Sequence, residues 1–127
     1  MCGTETLLVA DDEPEVRKYI KFVLEDFGYK VLEASDGDEA VEIFQANKDA
    51  VKLLLLDVLM PGKSGKEVYE IIKKIQPRVK VLFLSGYEDS ALEDMGLSVK
   101  EFSFIAKPVS PWDILKKVGD VLGRTEQ

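Results

Sequence analysis

The four consecutive leucines Leu53-Leu54-Leu55-Leu56 constrain this chain most, because they run without alternation. A strand with one wet face alternates apolar and polar residues, whereas a strand covered on both faces is apolar throughout. Such strands belong to parallel sheets flanked by helices. The run stops abruptly at Asp57. Other segments share the form: Leu7-Leu8-Val9-Ala10 stops at Asp11-Asp12, Val81-Leu82-Phe83-Leu84 at Ser85-Gly86, and Phe102 to Ala106 runs into Lys107-Pro108. Val31-Leu32 makes a shorter strand between the first and the leucine run.

The intervals between these runs have helical spacing. Val16, Ile20, Val23, Leu24 and Phe27 recur on one face and Gly28 closes that helix. After the turn Asp36-Gly37, Ala40, Val41 and Phe44 mark a second helix, and Val68, Ile71, Ile72 and Ile75 a third, ended by Pro77. A weaker helix is expected over Ser90 to Met95. The last begins after Pro111 and buries Ile114, Leu115, Val118, Val121 and Leu122. Five strands alternating with five helices imply right-handed parallel βαβ units, an α/β doubly wound fold. Ligands in such folds bind beyond the carboxyl ends of the strands. The polar residues of interest all lie at those ends.

At 127 residues the chain has the length of one domain, with expected boundaries of 1–5 for a leader or linker, 6–122 for the domain and 123–127 for a tail. No apolar run approaches the ~18 residues of a membrane span, and Met1-Cys2-Gly3-Thr4 has no signal-peptide character. A cytoplasmic location without direct membrane contact is expected. The net charge of −7, with no basic cluster read from the sequence to offset it, argues against nucleic-acid binding. Cys2 is the sole cysteine, in a terminus expected to fray, so no internal disulfide forms. Histidine is absent, which leaves oxygen atoms as the ligands for any metal.

Asp11 and Asp12 follow the first strand, Asp57 the third, Ser85 the fourth and Lys107 the fifth. A parallel sheet brings all five to one rim. Three carboxylates there repel one another and call for a divalent counterion. Mg²⁺ fits best, because it takes a few carboxylates, a carbonyl and retained waters. A metal beside a carboxylate, with Lys and Ser opposite, suits phosphoryl transfer, in which charge develops on the equatorial oxygens. A carboxylate can itself be the nucleophile, and Asp57, on the middle strand, is the best placed.

The segments Val9-Ala10-Asp11-Asp12-Glu13-Pro14, Leu56-Asp57-Val58-Leu59-Met60-Pro61-Gly62 through Gly65, Ser85-Gly86 and Ala106-Lys107-Pro108 resemble the response-regulator receiver domain of two-component systems. The resemblance spans about Thr6 to Leu122 and rests on four motifs in the family's order and spacing. It implies a flavodoxin-like five-stranded parallel sheet of order 2-1-3-4-5 with five helices, an order that periodicity alone does not give. It implies that Asp57 accepts phosphate from a phosphohistidine of a histidine kinase or histidine phosphotransfer protein. Mg²⁺, or Mn²⁺ in its place, would be held by Asp12 directly, by Asp11 largely through water, by Asp57 and by the backbone carbonyl of Leu59. Lys107 would bridge to the phosphoryl group, its bond to Pro108 being cis. Ser85 would move toward the phosphate and Phe104 would rotate inward.

The resemblance further implies that the last helices and fifth strand form the partner surface, in a monomer or a phosphorylation-dependent dimer. Leu59 and Tyr87 flank the site and should slow self-dephosphorylation. Phe104 stands where many receivers carry Tyr, and Ser85 where Thr is commoner. The chain ends too soon after its last helix for a DNA-binding output domain, so a stand-alone regulator or an excised piece is expected. Gly3-Thr4-Glu5-Thr6 and Ser85-Gly86-Tyr87 look like a receiver at the end of a hybrid sensor histidine kinase.

Each residue also has a plainer reading. Asp12 can simply cap the first helix, with Pro14 in its first turn. Asp57 and Lys107 can be solvated charges, Ser85 a turn residue, Phe104 core, and Tyr87 and Trp112 packing or partner-surface residues. Other functions on similar architecture fit less well. A phosphatase of the haloacid-dehalogenase type needs a second Asp two residues after the nucleophile, where this chain has Leu59. A flavin or nucleotide carrier needs a glycine-rich loop that does not follow the first strand. A pseudo-receiver, keeping the fold without phosphorylation, would have no need of Asp11, Asp12, Asp57, Ser85 and Lys107 together.

Overall fold

In the computed structural model, residues 4–123 are described. The order is β1 (Thr6–Ala10), α1 (Pro14–Asp26), β2 (Lys30–Ala34), α2 (Gly37–Ala46), β3 (Val51–Asp57), α3 (Gly65–Ile75), β4 (Lys80–Ser85), α4 (Asp89–Asp94), β5 (Ser103–Ala106) and α5 (Pro111–Val121). All strand pairings are parallel and the sheet order is β2-β1-β3-β4-β5, the doubly wound arrangement expected. Cys2 lies outside the described residues. No helix among them is long and apolar enough to cross a membrane.

The leucine run of β3 shows why these strands do not alternate. Leu54 and Leu56 enter one core with Phe44, Val68, Ile72 and Phe83, beneath α2 and α3. Leu53 and Leu55 enter the other with Ile20, Leu24, Ile114 and Val118, beneath α1 and α5. All four leucines are fully buried. At roughly 1.5–3 kcal/mol for each buried aliphatic side chain, a polar residue at any of these positions would be costly. The edge strands depart from the expected uniformity. Glu33 of β2 and Ser103 of β5 are only half-buried, because an edge strand has a neighbour on one side alone.

Local chemistry sets the boundaries. Gly28, at φ 110°, follows α1 in the left-handed region that glycine favours. Asp36 caps α2, Ser110 caps α5, and Ser64 and Glu67 form a reciprocal capping box on α3. α4 covers Asp89–Asp94, one residue earlier than the expected Ser90 to Met95, and no side chain caps it. β5 begins at Ser103, because the Phe102 N–H donates to the Ser98 carbonyl in the preceding turn, while its ring packs edge-on against Tyr69 and Phe83.

Candidate functional site

The strand register aligns the carboxyl ends. Ala10 pairs with Leu56, Asp57 with Leu84, and Ser85 with Ala106. Asp11 and Lys107 therefore leave their strands beside Asp57 and Ser85. Apart from the buried Tyr29 phenol, Asp11, Asp57 and Ser85 are the buried polar side chains among the described residues, and all three belong to this rim. A soluble fold keeps buried polar groups where they are partnered or used.

The loop after β1 is held in several places. Asp11 N–H donates to the Ala34 carbonyl, so the β1–β2 pairing runs one residue past the strand. Asp11 Oδ1 accepts the Glu13 N–H at 2.9 Å. Arg17 Nη1 donates to the Asp11 carbonyl at 2.7 Å while its Nε donates to Glu33 at 2.9 Å. The capping reading of Asp12 does not hold. Glu13 is the N-cap, with no side-chain cap bond, and Asp12 stays exposed. It is Asp11 that satisfies a backbone donor at this helix end.

On the other side, Lys107 follows β5, and the Lys107–Pro108 bond is cis, as the resemblance implied. Its Nζ lies 3.0 Å from Asp11 Oδ2, 3.1 Å from Asp57 Oδ2 and 3.0 Å from Glu13 Oε1. Lys107 N–H donates to the Ser85 carbonyl, and Ser85 Oγ accepts the Tyr87 N–H at 2.9 Å. Beneath Asp57, Gly65 lets α3 start against the strand end. A Cβ on Gly65 would come within 2.4 Å of the Asp57 carbonyl oxygen. The β3–α3 loop is further tied to α2, since Lys63 meets Asp38 at 2.6 Å and Gly62, at φ 82°, turns against Asp38.

The electrostatics follow from burial and crowding. Burial, and then the Asp11 carboxylate, push the Asp57 carboxyl up to about 6, against Lys107 and the Leu59 N–H. Burial works to lower Lys107, but hydrogen bonds to Glu13 and Asp11 and the charges of Asp57 and Asp11 hold it above the ordinary lysine range. Carboxylate oxygens of Asp11, Asp12 and Asp57 lie within 4.8 Å of one another. Asp11 Oδ2 is buried, and among the described residues its partner is the Lys107 ammonium alone. One ammonium thus faces several carboxylates, and the donors are all oxygen. This arrangement fits a hard divalent cation such as Mg²⁺.

All five rim residues named from the sequence are brought to one end of the sheet. Phe104 lies nearby, half-buried and stacked on Phe83 with ring centroids 5.6 Å apart. Leu59 and Tyr87 are exposed at the rim. Sequence reasoning assigned no role to Glu13 or Arg17. Arg17 carried one usable signal, a cation one helical turn past the acidic segment. The contact between Lys107 and Glu13 joins residues 94 positions apart, and no local pattern announces it.

Comparison with known proteins decides the family. Residues 7–119 match the response regulator receiver domain. The chain belongs to this family. It is 33% identical over 120 residues to a probable transcriptional regulator, ycf27, of Cyanophora paradoxa, covering 94% of this chain and 49% of that protein. The chain thus spans about half the length of the first curated relatives it matches. Among solved structures it resembles the receiver domain of the hybrid histidine kinase CckA, with TM-score 0.78, 32% identity and coverage of 92% of this chain and 98% of that one. It also resembles the response regulator TrrA of Thermotoga maritima in complex with Mg²⁺ and BeF, with TM-score 0.79, 31% identity and coverage of 93% and 99%. This is a receiver domain of two-component signalling, and such domains work with histidine kinases.

Proposed function

We propose that this receiver is a phosphoacceptor switch, phosphorylated on Asp57 by Mg²⁺-dependent transfer from a phosphohistidine of a histidine kinase or histidine phosphotransfer protein. The observation that carries this reading is the position of Asp57. It lies on the central strand, nearly buried, beside the acidic pair Asp11 and Asp12 and in contact with the Lys107 ammonium that it shares with Asp11.

In the transfer an Asp57 carboxylate oxygen forms a bond to phosphorus as the P–N bond of the phosphohistidine breaks. The electron pair leaves on the imidazole nitrogen. Asp11, Asp12, Asp57 and the Leu59 carbonyl would hold the cation, which when bound neutralises charge on a phosphoryl oxygen. Lys107 supplies a second positive contact to the phosphoryl group. Ser85 Oγ already accepts the Tyr87 N–H and keeps its own proton to donate to a phosphoryl oxygen. The domain is consumed and restored once per signalling cycle and acts as a switch, without the turnover of a conventional enzyme.

Phosphorylation would act by population shift. New contacts to phosphoryl oxygens favour Ser85 drawn toward the site and Phe104 turned inward, and the surface of α4, β5 and α5 follows. The exposure of Leu59 and Tyr87 at the rim supports slowed self-dephosphorylation. The similarity to a hybrid-kinase receiver favours an origin in such a kinase. Beryllofluoride, a phosphoryl mimic, tests the switch by amide NMR. With Mg²⁺ present it should shift Ser85, Phe104 and residues of α4 and α5. Shifts limited to the loops around Asp57, or equal shifts without Mg²⁺, would overturn the reading.

A further inference from the structure

At the opposite end of the sheet from Asp57, the amino ends of β3 and β4 open a cleft of about 360 Å³. Lys48, Lys52 and Arg78 line it against the single carboxylate of Asp49, with Gln76 half-buried among them and the buried Val51 and Val79 behind. Lys80 begins β4 at the same end. Between Glu70 and Glu88 the sequence carries four cations, Lys73, Lys74, Arg78 and Lys80, and no carboxylate. In a chain of net charge −7 this is a marked segregation of charge.

The pairing of cations sharpens the contrast. Along α1, in the β3–α3 loop and on α5, lysines and arginines reach carboxylates within 4.0 Å. Among the described residues, none of Lys48, Lys52, Arg78 and Lys80 appears in such a pair. Lys52 has only the Asp49 carbonyl, at 3.5 Å. The carboxyl end of α3 explains Lys73 and Lys74, which occupy its last turn and meet the negative end of the helix dipole. Arg78, Lys80 and Lys52 lie beyond that turn, in a loop and on strands, and the dipole does not account for them.

We propose that this pole docks an acidic polypeptide segment, with carboxylates meeting Lys48, Lys52 and Arg78 and the Gln76 amide meeting the peptide backbone. A nucleic acid fits less well, since the overall negative charge opposes a long polyanion and no aromatic residue lines the cleft for stacking. An anionic membrane fits less well, since the exposed large apolar residues are Tyr19, Phe22, Leu59, Tyr87 and Trp112, and none lines the cleft. The seven residues of β3 separate this pole from Asp57 by roughly 20 Å. The segment can therefore bind while the opposite rim is engaged, and the proposal does not rest on phosphorylation of Asp57.

The test is a titration of the whole ¹⁵N-labelled chain, at a physiological ionic strength of about 0.15 M, with a short polyglutamate peptide. Polyglutamine of equal length, an oligothymidylate and phosphatidylglycerol vesicles serve as the comparison probes. Saturable amide shifts confined to Lys48–Lys52 and Gln76–Lys80 are expected with polyglutamate alone. The double variant Lys48→Glu/Arg78→Glu should weaken them at least about tenfold with an unchanged amide spectrum elsewhere, whereas Asp57→Ala should leave them intact. Shifts centred elsewhere, binding of the oligothymidylate or vesicles as strong as that of polyglutamate, or an unaffected double variant would overturn the proposal.

Discussion

Lys107 Nζ stands 3.1 Å from Asp57 Oδ2 and makes the ion pair across the rim that links the end of β5 to the end of the central strand. The same ammonium reaches the fully buried Asp11, so one side chain balances two carboxylates with almost no access to water. Lys107→Met would leave those carboxylates facing each other. Without Mg²⁺ the variant should lose about 1–3 kcal/mol of stability, because a buried charge has lost its partner. Added Mg²⁺ should restore more stability to the variant than to the native chain, in urea unfolding followed by circular dichroism. Equal gains in both would contradict this balance of charges.

Arg17 fixes the acidic loop from below by holding the Asp11 carbonyl and Glu33 together. Groups that orient metal ligands commonly matter by 10–100-fold in affinity. Arg17→Gln should therefore weaken Mg²⁺ binding by about tenfold in isothermal titration calorimetry. The folded amide spectrum should persist outside α1 and the β1–α1 loop. Native Mg²⁺ affinity in this variant would show that the loop needs no such tether.

Glu33, joined to the acidic loop through Arg17, gives a pH dependence of its own. Burial works to raise its carboxyl, but Lys18, Arg17 and Lys21 outweigh burial and hold it below the usual 4.5. A carboxyl lowered on folding adds stability above its unfolded pKa and loses it as pH falls through the folded value. Glu33→Gln should cost about 1 kcal/mol at neutral pH. The difference from the native chain should close as the pH drops below 4.5. A gap that stays constant down to acid would assign the loss to packing instead.

Leu59 and Tyr87 are 48% and 44% exposed in the loops that follow β3 and β4. Leu59→Asn would place a polar group there that can hold a water. Decay of the phosphorylated form, followed by intact mass after removal of the phosphodonor, should speed up several-fold. An unchanged lifetime would remove Leu59 from any role in shielding the acyl phosphate.

Much of the fold was legible in the sequence, for physical reasons. Leu53 to Leu56 had to be covered on both faces, and they are shared between the two cores. Pro14 and Pro111 mark helix starts through chemistry confined to a single turn. Where the fold departs from the reading, tertiary context outweighs the local pattern. Phe102 gives its N–H to the Ser98 carbonyl and so stays out of β5, while the edge position of β2 accommodates Glu33. The rim residues could be named because strand ends in a parallel sheet share one side. Strand order came from the family resemblance, since hydrophobic periodicity reports faces and says nothing of neighbours. The parts played by Glu13 and Arg17 depend on side-chain reach across the loops, which no spacing rule encodes.

The most direct test is intact-protein mass spectrometry after incubation with acetyl phosphate, with and without Mg²⁺, on the native chain and on Asp57→Ala. The account predicts one phosphoryl adduct on the native chain with Mg²⁺ present, and none on Asp57→Ala or when the metal is chelated. No adduct on the native chain, under conditions that label another receiver domain, would contradict it and leave a receiver fold that binds without being phosphorylated.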